Sequence, residues 1–299
     1  MVGDSLSYSF GCVLGDDAGS GDPCPAQSGF TTRNAHLGAC NISGGTLLAY
    51  NGGILDTYSC SDWPSSLAAL ADEYQPKVVV ISTSGWEIVD RWGSYPGGCD
   101  PLYGGDCPVP PDLQWGGSDY TAARDNYAAH LAAAINLFKA HGVDHVLVAN
   151  APYVAPPQPF FVSGIPTWYE RYQSSQGDWV PPSHAPGYAY RPSKAKIEQL
   201  NTTVASVVSG FGGNGVALFD AYSHFSPGGA YSSLICPPPN DAVQPGGGCP
   251  GGQSPILARD PDGAHLTVSP GGNDVLAYYL RPCVRGLLGI AGGDMNVCS

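Results

Sequence analysis

The amino-acid sequence predicts an α/β fold in which helices cover both sides of a central parallel sheet. Three continuous apolar runs, at residues 77–83, 145–150 and 215–220, are typical of strands that are buried on both faces. Stretches with helical periodicity lie between these runs, and strands that alternate with helices form parallel sheets with right-handed crossovers. No break in composition divides the 299 residues. We therefore predict one domain, residues 1–299, built as a three-layer αβα sandwich.

The helices and the shorter elements follow from local signals. Residues 6–10 predict a helical turn that is soon broken by Gly11 and Gly15, and residues 33–37 predict a short extended piece before a Gly/Ser-rich turn. Ser61 and Asp62 are suitable N-cap residues for a helix that runs to about residue 74. The remaining predicted helices cover residues 119–141, 191–210 and 269–280, and Pro282 is expected to end the last of them.

Three long segments follow the three clear strands, at residues 84–118, 151–190 and 221–268, and they are rich in Gly, Pro, Trp and Tyr. In an open parallel sheet, the carboxyl ends of the strands border the ligand crevice. We therefore expect these segments to form the rim of a pocket.

Charge and cysteine content restrict the class of protein. The formal net charge of −13 argues against nucleic acid as a partner, because phosphate backbones require clustered Lys and Arg. None of the ten cysteines forms a C-x-x-C pair, so we expect neither a metal site nor a redox motif, and no cofactor. Disulfides in an extracellular compartment are the favoured interpretation, and buried free cysteines of a cytosolic protein are the alternative. The predicted local pairs, which would hold the rim loops, are Cys99 with Cys107, Cys236 with Cys249, and Cys283 with Cys298.

The start of the sequence leaves little room for a first strand. It has only Met1 and Val2 before Gly3, and neither a signal peptide nor an apolar run of ~20 residues is present. We expect that the natural N-terminus has been trimmed, and that a signal or membrane portion was lost with it.

Two motifs at opposite ends of the chain carry the candidate chemistry. Gly3-Asp4-Ser5 lies where a strand would pass into a helix, and Asp262 precedes His265 by three residues. A serine becomes a nucleophile when an imidazole takes its proton, and a carboxylate can orient that imidazole. Taken alone, Ser5 could equally be a helix N-cap and Asp262 a turn residue. Together they predict a Ser5–His265–Asp262 triad.

These blocks resemble the SGNH (GDSL-type) serine hydrolase family, which has Gly-Asp-Ser near its start and Asp-x-x-His near its end. The likeness is closest to the extracytoplasmic SGNH domains associated with bacterial membrane acyltransferases, and it implies an SGNH/flavodoxin-like sandwich. Further points of likeness are Gly38-Ala39-Cys40, Cys60-Ser61-Asp62-Trp63, Ser84-Gly85-Trp86-Glu87, Ala151-Pro152-Tyr153 and Asp262-Gly263-Ala264-His265-Leu266-Thr267.

The resemblance also implies an oxyanion hole. The backbone N–H groups of Ser5 and Gly38 are two expected donors, and the family's third donor is an Asn side chain. Trp86 occupies that Asn position in this sequence. An indole N–H can donate a hydrogen bond, but its reach differs from that of an amide. Loss of one such donor typically lowers the rate about 100–1000-fold.

The resemblance implies a serine-dependent ester hydrolase or O-acyl transferase that acts on short acyl (acetyl) esters of an extracellular or cell-envelope carbohydrate. Its expected partner is a small-molecule or carbohydrate ester, with a membrane acyltransferase portion absent from this chain, and the expected state is a monomer. A secreted lipase or polyester-type esterase is one alternative. The other is a non-catalytic carbohydrate-binding module, which Trp86 in the Asn position would favour.

Overall fold

The computed structural model describes part of the chain. It comprises residues 2–3, 6–15, 29–33, 35–36, 42, 46–51, 54–59, 63–83, 91–92, 121–153, 161–162, 165–166, 172–173, 179–180, 194–239, 248–259, 266–267 and 271–298.

Both strands and helices are distributed over the described residues. In chain order they are β1 (Val2–Gly3), α1 (Leu6–Leu14), β2 (Ala35–His36), β3 (Thr46–Asn51), β4 (Ile54–Ser59), α2 (Trp63–Tyr74), β5 (Val78–Ser82), β6 (Arg91–Trp92), α3 (Thr121–Ala140), β7 (His145–Ala149), β8 (Phe161–Val162), β9 (Ile165–Pro166), β10 (Tyr172–Gln173), β11 (Trp179–Val180), α4 (Lys194–Gly210), β12 (Val216–Phe219), α5 (Ala221–Phe225), β13 (Leu234–Ile235), β14 (Ile256–Leu257) and α6 (Gly272–Leu287). Short 3₁₀ turns cover Pro227–Gly229, Pro250–Gly252 and Met295–Cys298.

A five-stranded parallel sheet forms the centre of the fold, in the order β2-β1-β5-β7-β12. The predicted parallel α/β architecture is therefore confirmed. Successive strands are added on one side of β1 and then on the other, so the direction of winding reverses between β1 and β5. Such a reversal leaves a crevice at the carboxyl ends of the two strands.

Two apolar cores lie on opposite faces of this sheet, because the side chains of a strand alternate between the faces. Val79 and Ile81 of β5 belong to the core formed with α2, α3 and α4. Val80 belongs to the core formed with α1, α5 and α6. In α3, Leu131 and Ile135 are fully buried against the sheet. Helices therefore cover both faces of the sheet.

Two predicted helix ends are wrong. Helix α1 continues through Gly11 to Leu14, and the Gly15 N–H donates to the Gly11 carbonyl at 3.0 Å. Helix α6 continues through Pro282 to Leu287. A proline in a helix interior removes one backbone hydrogen bond. This loss is offset by burial of the nearby side chains Leu280 and Cys283, which are both fully buried. Tertiary burial outweighs the local helix-breaking signal in both helices.

The prediction missed an antiparallel hairpin between residues 46 and 59. Strands β3 and β4 pair in a register that places Asn51 opposite Ile54, and β6 pairs with the other edge of β3. A two-residue Gly-Gly connection is a favoured hairpin turn. The long segments 151–190 and 221–268 likewise contain short antiparallel pairs, β8 with β9, β10 with β11, and β13 with β14.

Two predicted disulfides are confirmed: Cys236 with Cys249, and Cys283 with Cys298. Cys12 is disulfide-bonded as well. The predicted pair Cys99 and Cys107 lies outside the described residues. Within the described ranges, no helix combines the length and the apolar character needed to cross a membrane.

Candidate functional site

The carboxyl edge of the parallel sheet is the candidate site, since open α/β sheets bind ligands at the carboxyl ends of the strands where the winding reverses, here between β1 and β5. Thr83 follows β5, Asn150 follows β7 and Asp220 follows β12, so all three lie at this edge. Thr83 is buried, and both its N–H and its hydroxyl donate to the Ala149 carbonyl, at 3.0 and 2.7 Å. The ends of β5 and β7 are thereby tied together.

Asn150 and Asp220 join the ends of the next two strands. The Asn150 side-chain amide donates to Asp220 Oδ1 at 2.7 Å, and Asn150 Oδ1 accepts the Tyr222 N–H at 2.7 Å. Asp220 is also the N-cap of α5, where it accepts the Ser223 N–H at 3.2 Å. The Asp220 carboxylate is thus occupied in holding the edge together. This contact was not predicted from the sequence, although each residue directly follows an apolar strand.

A second set of contacts fixes the start of the 151–190 segment. The Asn201 side chain of α4 accepts the Ala151 N–H and donates to the Ala151 carbonyl, both at 2.8 Å. The Tyr153 N–H donates to Ser226 Oγ at 2.7 Å. This segment contains Ala151-Pro152-Tyr153, one of the blocks that carried the resemblance. Its described residues, 151–153, are therefore hydrogen-bonded to α4 and to the C-cap residue of α5.

Tyr222 and Glu198 place a charged group beside this edge. The Tyr222 hydroxyl donates to Glu198 Oε1 at 3.1 Å, and Lys194 forms an ion pair with the same carboxylate. Burial, together with the hydrogen bond to Glu198, raises the pKa of Tyr222 to about 12. The Lys194 ammonium lowers the pKa of Glu198. At neutral pH, Tyr222 is therefore a neutral donor and Glu198 a carboxylate.

The predicted site residues Ser5, Gly38, Trp86, Asp262 and His265 all lie outside the described residues. The strands that precede Ser5, Gly38 and Trp86 do belong to the described residues. Ser5 comes two positions after β1, Gly38 two positions after β2, and Trp86 four positions after β5. The three strands are neighbours in the sheet and run parallel, so all three segments depart from the same edge.

The segment that contains Asp262 and His265 is closed at its base. Arg259 and Leu266 form an antiparallel bridge on either side of residues 260–265. The guanidinium of Arg259 is buried and lies 5.5 Å from the Phe225 ring centroid of α5. The Thr267 N–H donates to the Ala258 carbonyl at 3.1 Å, and Thr267 Oγ1 accepts the Gly272 N–H at 2.7 Å. The bridge thereby connects to α5, which directly follows β12, and to the start of α6.

Among the described residues, no group of three His, Cys, Asp or Glu side chains could hold a metal ion. A cavity of about 620 Å³ lies beside Lys77 and Val78, where β5 begins. It is therefore at the amino edge of the sheet, opposite the edge that carries Thr83, Asn150 and Asp220.

The sequence was compared with models of known protein families and with curated proteins. No family model matches it. No curated protein matches it either.

Proposed function

We propose that this protein is a serine-dependent ester hydrolase or O-acyl transferase of the SGNH type, with Ser5 as nucleophile, His265 as base and Asp262 as the carboxylate that orients His265. The observation that carries the proposal is the strand order. It makes β2, β1 and β5 neighbours, and the candidate residues Gly38, Ser5 and Trp86 follow these three strands. The proposal is supported by this arrangement, because a nucleophile flanked by oxyanion donors requires chain segments that leave the sheet at one edge.

The chemistry assigned to these residues is acyl transfer. His265 takes the proton of the Ser5 hydroxyl as its oxygen attacks the ester carbonyl, and the backbone N–H groups of Ser5 and Gly38 stabilise the resulting oxyanion. Collapse of the tetrahedral intermediate expels the alcohol, which receives the proton from His265. Water or a sugar hydroxyl then attacks the acyl-enzyme and regenerates Ser5.

Different observations support the proposed substrate class and the proposed compartment. The two confirmed disulfides favour an oxidising, extracytoplasmic compartment. The assignment to short acyl esters of a carbohydrate rests on the resemblance of the motif blocks. A lipase or polyester-type esterase would use the same residues with an aliphatic acyl pocket.

Hydrolysis of p-nitrophenyl acetate tests the proposal. We expect Ser5→Ala to abolish turnover above the uncatalysed rate, and the matched variant Ser209→Ala to retain it. Ser209 lies in the last turn of α4, where its hydroxyl donates to the Ser206 carbonyl at 2.8 Å. Equal rates for the wild type and Ser5→Ala would make the triad wrong. Carbohydrate binding without any turnover would instead favour the non-catalytic module.

A further inference from the structure

Two tyrosines, a lysine and a glutamate, here called the edge cluster, converge at the carboxyl edge of the sheet. Tyr153 follows β7, and Tyr222 lies in α5, which directly follows β12. Lys194 and Glu198 lie in the first two turns of α4. The pKa of Tyr222 is raised mainly by burial and by Glu198, and also by Tyr153, so the two phenols are neighbours. The edge cluster therefore joins three segments of the chain beside the ends of β7 and β12.

The Glu198 carboxylate is fixed through one of its two oxygens. Oε1 accepts from the Tyr222 hydroxyl at 3.1 Å and also from the Lys194 ammonium. Among the described residues, no hydrogen bond reaches Oε2, and Lys194 uses one of the three N–H donors of its ammonium. The side chains of Lys194 and Glu198 are 47% and 45% exposed. The pair therefore presents an oriented acceptor and an oriented donor side by side to solvent.

Gly229 brings the backbone close to this pair. It lies in the 3₁₀ turn after α5 and has a φ of 70°. A Cβ added there would lie 3.0 Å from Lys194 Cε and 3.1 Å from the Tyr222 hydroxyl oxygen. Glycine permits both this φ and such a close approach of the backbone. The turn 227–229 therefore forms a wall of the edge cluster that a larger residue would fill.

The position of Lys194 is electrostatically unfavourable for the helix. It is the first residue of α4, and a cation at this end faces the positive pole of the helix macrodipole. Lysine before glutamate is also the weaker order for a pair four positions apart, and exposed ion pairs contribute little to stability. The fold gains little from this lysine, and side chains that break a local rule are expected at functional sites.

We propose that the edge cluster is a sugar-binding subsite, which holds one unit of a neutral oligosaccharide at a distance from the ester that Ser5 attacks. Glu198 Oε2 accepts from a sugar hydroxyl, the Lys194 ammonium donates to another, and the two half-buried tyrosine rings contact the sugar ring. The ends of β12 and β1 are three strand spacings apart, about 14 Å. The subsite and Ser5 therefore bind different units of one chain, and the inference rests on the proposed function for its ester substrate.

The charges of this region favour a neutral, hydroxyl-rich ligand. The formal charges of Lys194 and Glu198 cancel, and Asp220 adds a carboxylate at the same edge. The chain carries a formal net charge of −13, which disfavours the approach of an anionic polymer. Hydroxyl groups both donate and accept, so they satisfy an ammonium and a carboxylate at once without a counter-charge.

Kinetics with a short and a long substrate test the proposal. The short substrate is p-nitrophenyl acetate, and the long ones are acetylated xylotetraose, cellotetraose and chitotetraose. For the tetrasaccharide with the lowest wild-type KM, we expect Glu198→Gln and Lys194→Met to raise KM about tenfold, with kcat little changed. This rise should exceed any change in KM for p-nitrophenyl acetate. The matched control is Glu73→Gln, which changes an exposed carboxylate at the end of α2, at the amino edge, and should leave KM unchanged.

Equal KM values for Glu198→Gln and Glu73→Gln with that tetrasaccharide would overturn the proposal. An equal rise in KM for p-nitrophenyl acetate would do so as well, because Glu198 would then act at the ester itself.

Calorimetric titration separates this inference from the proposed chemistry. Unacetylated tetrasaccharides are titrated into Ser5→Ala with and without Glu198→Gln. A Kd that Glu198→Gln raises about tenfold supports the subsite even if the wild type hydrolyses no ester. Turnover of p-nitrophenyl acetate by the wild type, with no tetrasaccharide bound by Ser5→Ala, sinks the subsite and leaves the triad intact. Tighter binding of tetragalacturonic acid than of every neutral tetrasaccharide would also overturn the proposal.

Discussion

Replacement of Asn150 by alanine tests whether the contact between strand ends stabilises the candidate site. Asn150 is 6% exposed, and its side chain makes hydrogen bonds of 2.7 Å to Asp220 Oδ1 and to the Tyr222 N–H. A bond to a charged group contributes about 1.5–3 kcal/mol and a neutral one about 0.5–1.5 kcal/mol. Asn150→Ala should therefore lower the free energy of unfolding by about 2–4 kcal/mol.

Urea denaturation at pH 7 measures this loss. The matched control is Asn214→Ala, because Asn214 is exposed in the turn before β12. A change of less than about 0.5 kcal/mol is expected for such a surface substitution. If Asn150→Ala is as stable as Asn214→Ala, the Asn150–Asp220 contact does not hold the edge, and the reasoning is refuted.

A carboxylate at position 150 is expected to make the stability of the folded protein depend on pH through this contact. Asn150→Asp places a second carboxylate beside Asp220, and two close carboxylates raise the pKa of one of them. The folded variant then binds more protons than the unfolded chain above pH ~4, so its stability falls as the pH rises through that range. The deficit relative to the wild type should be small near pH 4 and should grow toward pH 7. A deficit that is independent of pH would contradict the contact.

Three other perturbations have defined outcomes. Replacement of both Cys236 and Cys249 by serine opens a loop with a sequence separation of 13 and should cost about 3 kcal/mol in urea denaturation; an unchanged midpoint would contradict it. Gly215→Ala should cost about 1–3 kcal/mol by the same assay, because Gly215 has a φ of 71° and an added Cβ would lie 2.3 Å from the Asp144 carbonyl oxygen. Trp86→Asn should raise kcat for p-nitrophenyl acetate about tenfold or more by supplying an amide oxyanion donor, with KM little changed; a decrease would show that the indole is itself needed.

The sequence predicts the parallel core well because the signals there are local and strong. Strands β5, β7 and β12 lie within the predicted ranges, since continuous β-branched runs admit few other structures. Two disulfides, Cys236 with Cys249 and Cys283 with Cys298, were predictable because their cysteines are close in sequence and lie in Gly- and Pro-rich surroundings.

Features that depend on distant contacts were not predictable. Helix α6 continues through Pro282 because its flanking residues are buried, and burial cannot be read from the proline itself. Asn150 and Asp220 are 70 positions apart, so only the strand order brings them together. For the candidate site, the motifs predict Ser5 and His265, and the strand order shows only that β1, which precedes Ser5, lies between β2 and β5.

Labelling with a fluorophosphonate probe tests the proposed nucleophile most directly. The probe reacts with a serine whose hydroxyl is activated by a neighbouring base, so it reports the pair Ser5 and His265 without a choice of substrate. Peptide mass spectrometry should find one adduct, on Ser5 of the wild-type chain, and labelling should fall strongly in His265→Ala. An unlabelled Ser5, or an adduct on another serine that survives in Ser5→Ala, would contradict the account.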